Sequence, residues 1–167
     1  MNHQEQELIA DMMAGQISKQ ELIKLYPVPL TDEYLIDELK SAINKKDSKA
    51  LSFTMILVYF REFFSNDLLP ILEPILVEDW HQSHEDIAFL LQKLKSPSSA
   101  KWLFQAATMN FDYLEYDEFF ALARKCMWAL AAINTPESRK MVQELATVDN
   151  EVICEHAEEQ LEKLGLN

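Results

Sequence analysis

Residues 96–101 (SPSSAK) and residues 135–140 (TPESRK) carry hydroxyl, proline, serine and lysine side chains in the same order, at an offset of 39 residues. The first residue of each stretch can cap a helix, and the proline after it suits a first helical turn. The same offset relates other residues on both sides: Leu91 with Leu130, Phe89 with Trp128, and Ala107-Thr108 with Ala146-Thr147. The chain therefore contains an internal repeat, in which one helix ends, a proline-started helix follows and the next helix packs back.

A period close to 40 residues is typical of HEAT and armadillo arrays, which are built from stacked helix pairs. Apolar residues keep helical spacing along nearly the whole chain of 167 residues. We therefore predict an all-α protein, a right-handed α-solenoid of HEAT-like antiparallel helix pairs with about 8–10 helices. Residues 1–167 should form one repeat domain, with divergent helices over 1–79 and clearer repeats over 80–167.

Local signals place individual helix ends. Ser18 with Glu21 forms a capping-box pattern, and Thr31 and Asn150 are further N-cap candidates. The spacing also predicts a long helix over residues 113–133, so that the acidic residues of 113–118 would lie at its N-terminal end. Carboxylates there would complement the positive end of the helix dipole.

Glycine is nearly absent, with only Gly15 and Gly165 in the chain. Hairpin turns and phosphate-binding loops normally use glycine at left-handed positions, where other residues suffer a Cβ clash. A β-rich fold and a nucleotide-binding loop of the Walker or Rossmann kind are therefore disfavoured. Two cysteines, Cys126 and Cys154, do not make a disulfide framework and are expected to pack as small apolar residues.

The net charge of −13 is spread over both halves of the chain. A field of this sign repels nucleic acid and anionic membrane surfaces and steers basic proteins inward, although acidity also simply maintains solubility. No apolar run reaches the roughly 20 residues of a membrane span, and the N-terminus lacks the basic start of a secretion signal. We therefore expect a cytoplasmic protein whose direct ligand is neither nucleic acid nor membrane.

One stretch looks like a HEAT unit: residues 123–133 (ARKCMWALAAI) with the proline-started helix that follows. More narrowly, the chain from about Trp80 resembles small HEAT-like immunity proteins of bacterial toxin systems. The resemblance is carried by residues 80–86 (WHQSHED), 113–117 (YLEYD) and 125–130 (KCMWAL). It implies a cognate toxin partner, of the kind delivered between neighbouring cells by contact.

Two polar clusters are candidate sites. The first contains Trp80, His81, His84 and Glu85. Two histidines three residues apart could bind a metal with a carboxylate, but the spacing matches neither common zinc-protease pattern and no third ligand is evident. We therefore expect a capping and partner-binding role for this cluster, with no metal and no cofactor.

The second cluster contains two tyrosines among four acidic residues. Paired carboxylates can perform acid–base catalysis only in a pocket that separates their pKa values, whereas exposed tyrosines flanked by carboxylates suit docking of an Arg- or Lys-rich partner. We expect partner binding and no catalysis here. The residues are Asp112, Tyr113, Glu115, Tyr116, Asp117 and Glu118.

The leading functional hypothesis is an immunity protein that neutralises a basic toxin domain, expected to be a nuclease, by occluding its active site or substrate groove. No small-molecule substrate is expected. A general HEAT scaffold that bridges other proteins is the alternative. A third hypothesis, a helical-repeat enzyme acting on nucleic acid, requires a basic groove that this acidic chain does not show.

Overall fold

The computed structural model describes residues 1–166, and all regular secondary structure in that range is helical. It contains ten α-helices and four short 3-10 helices, and no strand occurs within the described residues. The predicted all-α class and the predicted number of helices are therefore confirmed. Asn167, the last residue of the predicted domain, lies outside the described residues. None of the described helices is long and apolar enough to cross a membrane.

The chain forms two compact units, and the first spans Met1–Phe64. Its helices are α1 (His3–Met13), α2 (Lys19–Leu25), α3 (Asp32–Lys45) and α4 (Ser48–Phe60). Helix α4 packs against α1 and α3, and its sequence is apolar on most sides because it is buried on more than one face.

Side-chain caps fix where these helices begin. Ser18 and Glu21 form the predicted capping box, and Thr31 accepts a hydrogen bond from the Tyr34 amide as the predicted cap of α3. Each cap satisfies an amide that has no partner within the helix, which typically contributes about 1 kcal/mol. The short helix α2 therefore starts at a position that the local sequence specifies.

The second unit begins at Ser65. Its α-helices are α5 (Leu69–Leu72), α6 (His84–Leu94), α7 (Ala100–Ala107), α8 (Ala121–Ile133), α9 (Pro136–Leu145) and α10 (Glu151–Leu164), with 3-10 helices at Asn66–Leu68, Pro74–Val77, Pro97–Ser99 and Asp112–Leu114. Helix α8 is central to this unit, because α6, α7, α9 and α10 all pack against it. The short helices that precede Trp80 lie in this unit, whereas the sequence predicts that residues 1–79 form a group of divergent N-terminal helices.

The predicted long helix over residues 113–133 is wrong at its N-terminal end. Helix α8 begins only at Ala121, and the residues before it form a 3-10 helix and turns. The break lies at Phe120, whose backbone has φ 47° and ψ 49° in the left-handed region. The acidic residues before Ala121 therefore belong to a loop rather than to a first helical turn.

The 39-residue repeat is visible in the backbone of the second unit. Helices α6 and α8 both end in left-handed residues at this offset, Lys95 with φ 52° and Asn134 with φ 56°. After the next helix, the hydroxyls of Thr108 and Thr147 each donate to the carbonyl three residues earlier, at 3.0 and 2.8 Å. The recurring sequence therefore specifies recurring helix ends, with the proline-started helices between them.

The left-handed conformation of Lys95 leads to a stability prediction. A side chain there costs about 1–2 kcal/mol, which glycine avoids at the expense of greater freedom in the unfolded chain. We expect Lys95→Gly to raise the free energy of unfolding by about 0.5 kcal/mol in urea titrations. Lys93→Gly, which removes the same charge inside α6, should lower it by about 1 kcal/mol. Equal losses for the two variants would contradict the prediction.

Candidate partner-binding surface

The segment between α7 and α8, residues 108–120, is called the acidic loop below. Its tip exposes two aromatic side chains, since Tyr116 is 91% and Phe119 is 72% accessible. Three acidic residues of the loop, Asp112, Glu115 and Glu118, are exposed as well. Large aromatic side chains are normally buried, so an exposed pair within a carboxylate-rich loop is a candidate contact surface for another protein.

A buried pair of histidines lies beneath this loop. His81 is 1% accessible and His84 is fully buried, and their rings stack with centroids 4.1 Å apart. Phe111, at the start of the loop, covers His84 with a centroid distance of 3.9 Å. His81 and His84 were both predicted to contact a partner, but in the free protein both side chains are buried.

Both histidine rings are held in their neutral form by their hydrogen bonds. The Ser83 amide donates to His81 Nδ1 at 3.2 Å, so the proton of His81 lies on Nε2 and is donated to the Ile75 carbonyl at 2.7 Å. In His84, Nε2 donates to the Glu78 carbonyl at 2.8 Å, which leaves Nδ1 as an acceptor. Burial lowers the pKa of His81 and lowers that of His84 to about 4.

Tyr113 connects the acidic loop to the histidine pair. Its hydroxyl donates to His84 Nδ1 at 2.9 Å, and its ring stacks on His84 at 5.5 Å. Burial raises the pKa of this half-buried phenol, which therefore remains a donor at neutral pH. Tyr113 thus positions the loop, whereas its hydroxyl is already committed and is a poor candidate for a partner contact.

Asp117 also has a structural role. Its carboxylate accepts hydrogen bonds from the Phe119 amide at 3.1 Å and the Ala121 amide at 2.6 Å. These bonds satisfy free amides at the beginning of α8 and hold Phe120 in a left-handed conformation that bulky residues rarely adopt. Asp117 therefore shapes the turn from which the exposed aromatic residues project.

Substitution of Asp117 and of its neighbour Glu118 should distinguish a residue that shapes the turn from one that only contributes surface charge. We expect Asp117→Ala to lower the free energy of unfolding by about 1–2 kcal/mol, because a helix cap and the support of a strained residue are lost. Glu118→Ala, at an exposed neighbour, should change it by less than about 0.5 kcal/mol. Urea unfolding measures both values, and equal effects would show that Asp117 does not organise the loop.

The other two predicted contact residues lie at the edge of the histidine pair. Trp80 is partly exposed and meets His81 edge-on, with centroids 4.8 Å apart. Glu85 is partly exposed and forms an ion pair of 2.8 Å with Lys125 of α8. Such a pair near the surface contributes at most about 1 kcal/mol. Glu85 could therefore leave Lys125 and contact a basic residue of another protein with little loss of stability.

A pocket of about 700 Å³ opens beside the acidic loop. Its floor is apolar and comes from α7, α8 and α10, with Ala107, Ala123 and Ile153 among the lining residues. Four carboxylates line it, and none of the lining residues is lysine, arginine or histidine. The four are Asp112, Glu115, Asp117 and Asp149.

The predicted partner-binding residues thus fall into two groups, one exposed in the acidic loop and one buried beneath it. The loop contains Asp112, Glu115, Tyr116 and Glu118 as an exposed group, while His81 and His84 lie in the interior. Within residues 1–166, no group of three or more histidine, cysteine or acidic side chains is arranged to hold a metal ion.

Two residues of this surface were missed by the sequence analysis. Phe119 was assigned to the interior of a helix, where a phenylalanine is normally buried, and only recognition of the break at Phe120 would have exposed it. Asp149 lies in the turn before α10, outside both of the predicted clusters. Its position beside the acidic loop depends on how α10 packs against α8, which local sequence patterns do not reveal.

Comparison of the chain with protein-family models, curated proteins and solved structures found no match.

Proposed function

We propose that this chain is an immunity protein that binds a basic toxin domain and neutralises it. The observation that carries the proposal is the acidic loop, which presents Tyr116 and Phe119 to solvent among exposed carboxylates. Exposed aromatic residues are the commonest anchors of protein interfaces, because they bury a large area at a small entropic cost. The surrounding charge selects a partner of opposite sign.

The two kinds of side chain have separate tasks in this proposal. The aromatic pair supplies affinity when it is desolvated in a cleft of the partner, and the carboxylates around it raise the association rate. The net charge of −13 adds long-range attraction for a basic domain. A toxin with a cationic substrate groove, such as a nuclease, would be inhibited because the loop occupies the groove.

The finer description of the fold, a right-handed HEAT-like solenoid of antiparallel helix pairs, belongs to the same proposal. It is supported by the 39-residue offset between the ends of α6 and α8, and by the proline at the start of the helical segment after each. A repeat array presents its loops on one edge, which is a common position for binding residues. The acidic loop connects the pair α6–α7 to the pair α8–α9.

Co-production with the product of the neighbouring gene tests the proposed function. We expect a stable complex and protection of cells from that product, with an association rate that falls as salt increases. A dissociation constant that is insensitive to the acidic loop would oppose the proposal, and so would cells that remain unprotected although both proteins are produced.

The second candidate function, a scaffold for several proteins, is favoured by one observation in the first unit. Four large apolar side chains at and after α1 and α2 are exposed: Met13, Ile23, Leu25 and Val28. An exposed apolar group of this kind can bind a protein independently of the acidic loop. If this function holds, Ile23→Ser should remove one set of partners in a pull-down, while partners held by the acidic loop are retained.

A further inference from the structure

The pocket beside the acidic loop contains carboxylates that have no partner of their own. Asp117 uses one oxygen for the first amide of α8 and the other for the Phe119 amide in the preceding turn, but the side chains of Asp112, Glu115 and Asp149 make no hydrogen bond or ion pair with any residue in 1–166. They come from two separate segments that meet only in the folded chain. Negative charge is thus gathered around a cavity without an internal cation to balance it.

Most of the remaining lining residues are apolar or aromatic, and the polar ones, Thr108, Asn110 and Asn150, are uncharged. Phe111 and Phe120 provide rings, and the ends of α7 and α10 provide methyl and methylene groups. The volume of about 700 Å³ lies within the range of ligand-binding pockets, which is about 300–1,000 Å³. The pocket therefore suits a long side chain with an apolar stem and a cationic end.

We propose that this pocket receives an arginine side chain of the protein partner. This inference rests on the proposed function, because it names the group by which that partner is recognised. The arginine stem would lie on the apolar floor, while the guanidinium would donate to Glu115 and Asp149 at the rim. Tyr116 and Phe119 lie outside the pocket and would contact the surface around the arginine.

A guanidinium fits these residues better than an ammonium does. Its planar fork can donate to two carboxylates at once and can stack on an aromatic ring, whereas lysine offers a compact and strongly hydrated charge. The pocket lining includes carboxylates from two separate segments and the aromatic rings of Phe111 and Phe120, which provide partners for both properties. The proposal therefore specifies arginine rather than any basic residue.

The free protein tests this recognition with N-acetyl-L-argininamide as the probe. We expect saturable shifts of the amide resonances of Ala107, Leu114, Ala123 and Ile153 in ¹H–¹⁵N spectra, with a dissociation constant in the millimolar range. The matching citrulline amide, which has the same shape but no charge, should produce no saturable shift. Equal shifts with citrulline or with the lysine amide would overturn the assignment, and so would arginine-induced shifts confined to other helices.

Charge-neutralising variants provide a matched comparison. Glu115→Gln and Asp149→Asn should each weaken binding of the arginine amide by about three- to fivefold, since each removes one carboxylate from the rim. Glu118→Gln, in the same loop but outside the pocket lining, should leave the affinity unchanged. Equal losses in all three variants would indicate general charge attraction and would overturn the pocket.

The same variants separate this inference from the proposed function. A toxin domain that binds the wild-type protein, but with the same affinity for Glu115→Gln/Asp149→Asn, would overturn the pocket and leave the immunity function intact. Arginine binding in the pocket without any toxin complex would support the pocket and oppose the immunity function.

Discussion

Acid should destabilise this protein well before most of its carboxylates are protonated. The pKa of His84 is lowered to about 4 from a usual value of 6.5, first by burial and then by the neighbouring His81. Between about pH 4 and pH 6.5, His84 is therefore protonated in the unfolded chain and neutral in the folded chain. The resulting stability is present above pH 6.5 and is lost as the pH falls towards 4. The shift corresponds to about 3 kcal/mol, which is a large part of the stability of a small domain.

Neighbouring titratable groups also affect how stability changes with pH. His81 adds to the effect because burial also lowers its pKa, and a proton on its Nδ1 would meet the Ser83 amide. Asp86, whose pKa is raised by burial, acts in the opposite sense, since its proton is bound more readily in the folded chain. Lys125 limits that opposing effect by favouring the charged carboxylate.

Urea unfolding between pH 7.5 and pH 4.5 measures the predicted loss. We expect His84→Gln to be less stable at neutral pH, because the buried hydrogen bonds of the imidazole are lost. Its stability should also depend less steeply on pH, because the variant lacks the imidazole that takes up a proton on unfolding. His3→Gln, at an exposed imidazole, should reproduce the wild-type curve. If His84→Gln does not fold, the ¹³Cε1 resonance of His84 in the wild type provides the test. A resonance of the charged imidazole at pH 5.5 would contradict the prediction.

The fold could be predicted largely because its determinants are local. Ser18, Thr31 and Asn150 cap their helices through hydrogen bonds that span three residues, so the sequence around each cap contains the whole interaction. The repeat was also visible, because Lys95 and Asn134 end helices at equivalent positions. The scarcity of glycine indicated an α-helical chain correctly, although five other residues adopt left-handed backbone conformations that glycine usually provides.

The candidate site was harder to predict because its geometry depends on distant residues. Helical spacing continues through the acidic loop, and nothing in that spacing indicates that Phe120 interrupts the helix. Phe111 covers His84, and that histidine accepts a hydrogen bond from Tyr113, so tertiary contacts fix the loop against its local helical preference. Sequence patterns therefore identified the acidic and aromatic character of the surface, but they did not separate its exposed residues from those that hold the loop in place.

Truncation of the two exposed aromatic residues should have the largest effect on partner binding. Interface anchors that are fully desolvated in a complex contribute about 2 kcal/mol or more, so we expect Tyr116→Ala and Phe119→Ala each to weaken binding of the proposed toxin partner by about 30-fold or more. Protection of cells should fall in parallel. Each variant should retain its free energy of unfolding within about 0.5 kcal/mol, because both side chains face solvent in the free protein.

Two controls make this result specific to the acidic loop. Phe89→Ala removes a partly exposed phenylalanine from α6 in the same unit, and it should leave the toxin affinity unchanged. Glu118→Gln removes one charge beside the aromatic pair, and it should slow association by a few-fold without accelerating dissociation. Binding that survives loss of both Tyr116 and Phe119 would move the interface away from the acidic loop. Because the unfolding measurement excludes a general loss of structure, that outcome would overturn the central observation on which the proposed function depends.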